Sequence, residues 1–76
     1  MKSREVNRRI EELGGYETRQ KGSHRRFEAT YTDDKGIERT VHTTVQQHGS
    51  RDIPKGTLGA IQRDMAPAFG EGWLTG

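Results

Sequence analysis

Residues 27–45 read FEATYTDDKGIERTVHTTV, two alternating segments joined by the tetrapeptide Asp33-Asp34-Lys35-Gly36. Apolar side chains recur at every second or fourth position on either side of the tetrapeptide, namely Phe27, Ala29, Tyr31, Ile37, Val41 and Val45. This alternation is typical of strands that bury one face, although Arg39 interrupts the apolar face of the second segment. Asp, Lys and Gly in this order favour a tight turn. The stretch therefore predicts an antiparallel β-hairpin.

Upstream of the hairpin, the sequence predicts one helix and one further strand. The apolar stripe of the helix consists of Val6, Ile10 and Leu13. Ser3 has the side chain of an N-cap residue, and Gly14-Gly15 ends the helix. Residues 16–20 alternate as the first strand, and Gly22-Ser23 marks the turn that leads into the second strand.

Downstream of the hairpin, a polar loop over residues 46–51 precedes a second helix. Pro54 and Thr57 indicate its start, with Thr57 as the expected cap, and Pro67 indicates its end. The face of this helix is formed by Leu58, Ile61 and Met65. We predict a domain over residues 1–65 and an irregular tail over residues 66–76. The apolar side chains of the tail are expected to dock on the domain, namely Phe69, Trp73 and Leu74.

The element order predicts an α+β fold, α-β-β-β-α, with two helices on one face of a three-stranded antiparallel sheet. With 76 residues and only 28% hydrophobic residues, the chain forms one domain with a thin core. We expect eight side chains to be mostly buried: Val6, Ile10, Leu13, Phe27, Tyr31, Val41, Leu58 and Ile61.

Composition narrows the classes of function. Without cysteine, the chain has neither disulfides nor thiolate metal sites, which fits a cytoplasmic location. No apolar stretch approaches the ~20 residues that span a bilayer, and no apolar run like that of a secretory signal opens the chain. Residues 1–27 carry eight Lys or Arg against four Glu, whereas the remainder carries five basic and seven acidic residues. This asymmetry favours a phosphate-containing partner, although many basic runs only solvate a surface.

The segment Lys21-Gly22-Ser23-His24-Arg25-Arg26-Phe27 holds the candidate site. His24 can exchange protons near neutral pH, and a base that deprotonates a ribose 2′-hydroxyl promotes its attack on the adjacent phosphorus. RNA phosphates would be bound by Lys21, Gly22, Ser23, Arg25 and Arg26. This scheme needs neither metal nor cofactor. The simpler interpretation is a polar turn with solvated cations, and composition alone favours it.

The other histidines are weaker candidates. His42 alternates with Val41 and should lie on the sheet face away from the core, and His48 lies in the loop before the second helix. Neither has a carboxylate or a second histidine at metal-ligand spacing, so the sequence predicts no zinc site. Both are expected to be surface residues, with His48 retaining some chance of approaching RNA.

Three stretches resemble, in order, the HicA family of toxins from toxin–antitoxin modules: KSREV at residues 2–6, RQKGSH at residues 19–24, and His48 followed by DIPKGTL at residues 52–58. The resemblance covers about residues 2–65. It implies a fold similar to double-stranded-RNA-binding domains and cleavage of mRNA that arrests translation, with His24 as the catalyst. It also implies a HicB-like antitoxin partner that covers the His24 site.

Two alternatives to a ribonuclease stay open at this stage. One is a non-catalytic module that recognises RNA by shape and phosphate contacts. The other is a protein-interaction subunit whose basic patch meets an acidic partner.

Overall fold

The computed structural model describes residues 1–76 in the order α1 (Ser3–Glu12), β1 (Tyr16–Lys21), β2 (His24–Thr32), β3 (Glu38–Gln46) and α2 (Lys55–Phe69). The strands form one antiparallel sheet in the order β1-β2-β3. The predicted α+β class and element order are confirmed, and they are consistent with a double-stranded-RNA-binding-domain-like fold. None of the helices is both long and apolar enough to cross a membrane.

The core lies between the helices and one face of the sheet. Eleven buried hydrophobic residues form it: Val6, Ile10, Phe27, Ala29, Val45, Ile53, Leu58, Ile61, Met65, Trp73 and Leu74. Val6 and Ile10 are one helical turn apart, which gives α1 its single buried stripe. On β2, Phe27 and Ala29 are buried while the intervening Glu28 is not, as expected of a strand with one covered face.

Three residues of the predicted core are less buried than expected. Leu13 is 36% exposed because α1 ends at Glu12, which leaves Leu13 outside the helical stripe. Tyr31 and Val41 are only half-buried, and both lie on the hairpin side of the buried Phe27–Thr43 pair. The centre of β3 is occupied instead by the buried Thr43, whose hydroxyl donates to Asp64 Oδ2 at 2.8 Å.

The helix ends differ from the sequence prediction. The N-cap of α1 is Lys2 rather than Ser3, and its backbone N–H donates to Glu5 Oε1 at 2.8 Å. At α2 the N-cap is Pro54, so Thr57 lies within the first turn and does not cap the helix. The prediction that Pro67 ends α2 is also wrong. The helix continues to Phe69, and the backbone N–H of Gly70 donates to the Ala66 carbonyl at 2.7 Å.

Packing of the C-terminal segment explains why the helix tolerates Pro67. The rings of Phe69 and Trp73 meet edge to face with centroids 5.0 Å apart. Trp73 Nε1 donates to the Gln62 carbonyl at 2.9 Å, and Arg9 Nε donates to the Trp73 carbonyl at 3.2 Å. Trp73 and Leu74 are buried, which confirms their predicted docking. These contacts compensate for the one helical hydrogen bond that proline cannot donate.

The predicted hairpin turn between β2 and β3 is confirmed. Asp33 Oδ1 accepts hydrogen bonds from the backbone N–H groups of Lys35 and Ile37, both at 2.9 Å. Arg39 Nε donates to Asp33 Oδ2 at 2.9 Å. The Ile37 hydrogen bond, followed by that of Arg39, lowers the pKa of Asp33 below the ordinary value for aspartate. The tip of the hairpin is therefore held by hydrogen bonds among its own residues.

Candidate nucleic-acid interface

The face of the sheet away from the helices, here called the open face, is polar along its whole length. Cross-strand partners project from the same face, so the register arranges their side chains in rows. The first row contains Lys21, His24 and Gln46, the second Arg19, Arg26 and Thr44, and the third Tyr16, Glu28 and His42. A row of Thr30 and Thr40 follows towards the hairpin.

A β-bulge brings the two cations of β1 onto the open face. Glu17 pairs with Phe27 and Arg19 pairs with Arg26, so that Thr18 is the extra residue between them. Regular alternation from Tyr16 would turn Arg19 and Lys21 towards the helices. The extra residue reverses that phase, and Arg19 and Lys21 therefore share a face with His24.

The first two rows form a shallow, open cleft of about 180 Å³ lined by Arg19, Lys21, His24, Arg26 and Thr44. Arg19 and Lys21 take part in none of the ion pairs of the molecule. Arg26 has an acidic neighbour on its own strand, with Nε 3.4 Å from Glu28 Oε2. The cleft thus combines one imidazole with three cations, of which two lack an acidic partner. Such a surface suits a phosphate with a proton-transfer group beside it.

His24 is the first residue of β2, and it follows a two-residue turn made by Gly22 and Ser23. Gly22 has a φ of 59°, and no non-glycine residue has a positive φ. A positive φ at the first central residue only is typical of a type II′ hairpin turn, which favours glycine there. The turn sets His24 opposite Lys21 across the strand pair. The imidazole is exposed, and no hydrogen bond to another side chain holds it.

Arg25 lies on the other face of the sheet, since it pairs with the buried Val45. Its Nε is 3.0 Å from Glu17 Oε1, but the N–H does not point at the carboxylate, so the contact is an ion pair without a hydrogen bond. With the Asn7 amide oxygen turned towards it, Arg25 Nη1 donates to Asn7 at 3.0 Å. Arg25 is thus tied to α1 and β1 on the helix side.

Polar contacts join this side of the sheet to the turn before His24. The side-chain amides of Gln47 and Asn7 are in contact at 2.8 Å, and Gln47 Nε2 donates to the Val45 carbonyl at 2.9 Å. The backbone N–H of Gln47 donates to the Ser23 carbonyl at 2.6 Å. Helix α1 and the end of β3 therefore fix the turn that presents His24.

Among the predicted site residues, the structure brings together Lys21, His24 and Arg26 on the open face, with Gly22 and Ser23 in the adjoining turn. Arg25 points away from them. The residue that the site prediction omitted is Arg19. Its place in the RQKGSH segment was a signal, but strict alternation alone would have set it on the other face.

His42 lies where the sequence predicts a surface residue, whereas His48 is more buried than predicted. His42 is exposed on the open face, two rows from His24 and opposite Glu28. His48 is half-buried and lies two residues beyond Gln46, the cross-strand partner of His24. No three His, Asp or Glu side chains group together in a way that could hold a metal ion.

A larger open groove of about 860 Å³ lies between α2 and the C-terminal segment, lined mainly by Gln62, Arg63, Pro67, Glu71 and Gly76. It contains no histidine, and its lining has only one arginine together with one glutamate. Size alone would favour this groove, but the chemistry of its lining does not suit phosphate binding or proton transfer near neutral pH. The smaller cleft on the open face is therefore the candidate site.

Comparison with known families gives one match. The model of the family described as "HicA toxin of bacterial toxin-antitoxin" matches residues 3–66 of the chain. No curated protein and no solved structure matches the chain. The matched region contains α1, the whole sheet and most of α2, and it stops before Phe69, Trp73 and Leu74.

Proposed function

The chain belongs to the HicA toxin family of bacterial toxin–antitoxin modules, and from this premise we propose that it is an endoribonuclease that cleaves mRNA at the open face and so arrests translation. The observation that carries the proposal is the grouping of His24 with Arg19, Lys21 and Arg26 around one cleft. A toxin of this kind is made harmless by a cognate antitoxin. We further propose that a HicB-like antitoxin covers the cleft and denies RNA access to it.

The proposed reaction is a metal-independent transesterification. The His24 imidazole accepts the proton of a ribose 2′-hydroxyl, and the 2′-oxygen attacks the adjacent phosphorus. The bond from phosphorus to the 5′-oxygen breaks, which leaves a 2′,3′-cyclic phosphate on one fragment. The departing 5′-oxygen takes up a proton and ends the other fragment as a hydroxyl.

The cations of the cleft have two roles in this scheme. They neutralise the phosphate in the ground state, and they stabilise the charge that builds on the phosphoryl oxygens during attack. Arg19 and Lys21 suit this role because no carboxylate competes for them. Lys21 is the cross-strand partner of His24, and we assign its ammonium as the proton donor to the departing oxygen.

A second function, RNA binding without cleavage, is favoured by one observation. No side-chain hydrogen bond orients the His24 imidazole, whereas acid–base histidines are commonly held by a partner group. On this alternative, the protein blocks translation by occupying RNA through phosphate contacts.

The experiment compares His24→Ala with the matched variant His42→Ala, because both histidines are exposed on the same face. We expect His24→Ala to lose about 10²–10⁴-fold in cleavage rate, the usual contribution of a positioned acid–base group. Growth arrest on expression should disappear while the melting temperature and most RNA affinity remain. His42→Ala should cleave and arrest growth like the parent. Cleavage of a defined RNA is measured in chelator-treated buffer.

Two results would count against the proposal, one against the role of His24 and one against cleavage itself. Cleavage by His24→Ala at the parent rate would remove His24 from the mechanism. Growth arrest by His24→Ala with RNA binding intact and no cleavage by either protein would support the non-catalytic function. Loss of cleavage with an unchanged melting temperature supports the proposal, because a misfolded variant would show itself by its melting curve.

A further inference from the structure

One aromatic side chain on the open face lies outside the cation cleft. Tyr16 is 45% exposed although it belongs to a strand. It occupies the third row, opposite Glu28. Glu28 is the fourth residue after His24 along β2, so the two rows are about 13 Å apart along the extended strand. The ring is therefore within reach of an RNA strand whose phosphate lies in the cleft.

The ring of Tyr16 is held along the sheet surface. Its hydroxyl shares a hydrogen bond with Thr30 Oγ1, 3.3 Å away in the next row. Thr30 Oγ1 in turn shares a hydrogen bond with Thr40 Oγ1, its partner in that row, at 3.4 Å. The side chain thus extends from its own row towards the following one. A ring anchored at both ends loses little conformational freedom when a ligand covers it.

The charges of the rows determine which part of RNA fits each of them. The first two rows carry Arg19, Lys21 and Arg26, which attract phosphate. The third row carries no Lys or Arg, and its central Glu28 is the ion-pair partner of Arg26, so this row adds no cation for a phosphate. A strand bound by its phosphate in the first two rows would therefore meet the third row with a base. Bases of any identity stack on aromatic side chains.

We propose that Tyr16 is a base-stacking subsite for a nucleotide adjacent to the phosphate held at the cleft, and that the open face binds single-stranded RNA. This inference rests on the proposed function. A lone ring among threonines and a glutamate suits a base better than a protein partner, whose interfaces centre on clustered apolar side chains.

The test measures binding of a fluorescent single-stranded RNA of about 12 nucleotides, within the usual range of site sizes, to full-length protein carrying His24→Ala so that the probe stays intact. In this background, Tyr16→Ala should weaken binding about 5- to 100-fold, as expected for loss of one stacked base. Tyr16→Phe should lose much less affinity than Tyr16→Ala, since it keeps the ring and loses only the hydroxyl contact with Thr30. The slope of log affinity against log salt should not change, because no phosphate contact is lost.

A second probe, an abasic ribose-phosphate chain of the same length, identifies the base as the contacted group. On this probe, Tyr16→Ala and the parent should bind equally. Tyr16→Thr repeats the loss of the ring with a residue that favours strands, and melting curves report folding. Ile37→Ala is the matched control, because Ile37 is 49% exposed but lies in the hairpin turn outside the subsite.

Failure of the subsite and failure of the proposed function give different results. Salt-dependent RNA binding that is equal in parent and ringless variants would overturn the subsite alone. Absence of RNA binding by the parent would overturn both the subsite and the proposed function. Unchanged RNA binding with a weakened antitoxin complex would assign Tyr16 to a protein interface and also overturn the subsite.

Discussion

The two faces of the sheet are formed by the same three strands but differ in whether their side chains are covered. On the helix side, Phe27, Ala29 and Val45 are at most 2% exposed and belong to one core. On the open face, the intervening positions carry His24, Arg26 and Thr44, which no helix covers. Stability therefore depends on one face, and the proposed chemistry depends on the other. Substitutions on opposite faces of β2 should separate the two properties.

The largest expected effect is on the helix side. Phe27→Ala should lower the free energy of unfolding by about 3–5 kcal/mol, because it removes a fully buried ring and leaves a cavity. In a domain of this size such a loss approaches the total stability. Thr44→Ala on the open face is the control and should change stability by about 0.5 kcal/mol or less. Chemical denaturation of both variants measures the difference, and equal losses would contradict the division between faces.

The next effect tests whether the C-terminal segment belongs to the covered side. Trp73→Ala should cost about 3 kcal/mol, since Trp73 is 6% exposed and packs on Phe69. The exposed Glu71 in the same segment provides the control variant Glu71→Ala. Melting temperatures of the two variants are compared. An unchanged value for Trp73→Ala would mean that the domain is complete within the region matched by the family model.

The smallest effect sharpens the comparison at two neighbouring arginines. Arg26 lies on the open face, and Arg25 is tied to Glu17 on the helix side. Arg26→Gln should reduce the slope of log affinity against log salt for single-stranded RNA by about 0.7, the value for one phosphate contact. Arg25→Gln should leave that slope unchanged and lower the melting temperature instead. Equal reductions of the slope would place both arginines at the RNA.

Much of the architecture could be predicted from local patterns. Alternation from Phe27 to Val45 around an Asp-rich turn predicts the hairpin, and the Val6–Ile10 spacing predicts α1. The errors fall at element ends. Pro67 does not end α2, because packing of Phe69 on Trp73 extends the helix. Leu13 leaves the core because the helix stops one residue earlier than its apolar stripe.

The candidate site was predicted less completely than the fold. The residue types around His24 indicate proton transfer beside phosphate, and Lys21 and Arg26 line the same cleft as His24. Their neighbour Arg25 does not, because adjacent residues of a strand project from opposite faces. The alternation can be predicted from the sequence, but the face that the helices cover near the start of β2 cannot.

By itself, the sequence determined the element order, the apolar residues that must be covered and the residue types available for chemistry. Tertiary structure decided which of those residues meet. Arg19 and Lys21 join His24 and Tyr16 on the open face because a bulge at Thr18 reverses the alternation of β1. A bulge is a property of two paired strands, because the extra residue exists only relative to the register of the partner. Hydrogen bonding to β2 and burial of its other face set that register, and neither is encoded in the local pattern of residues 16–21.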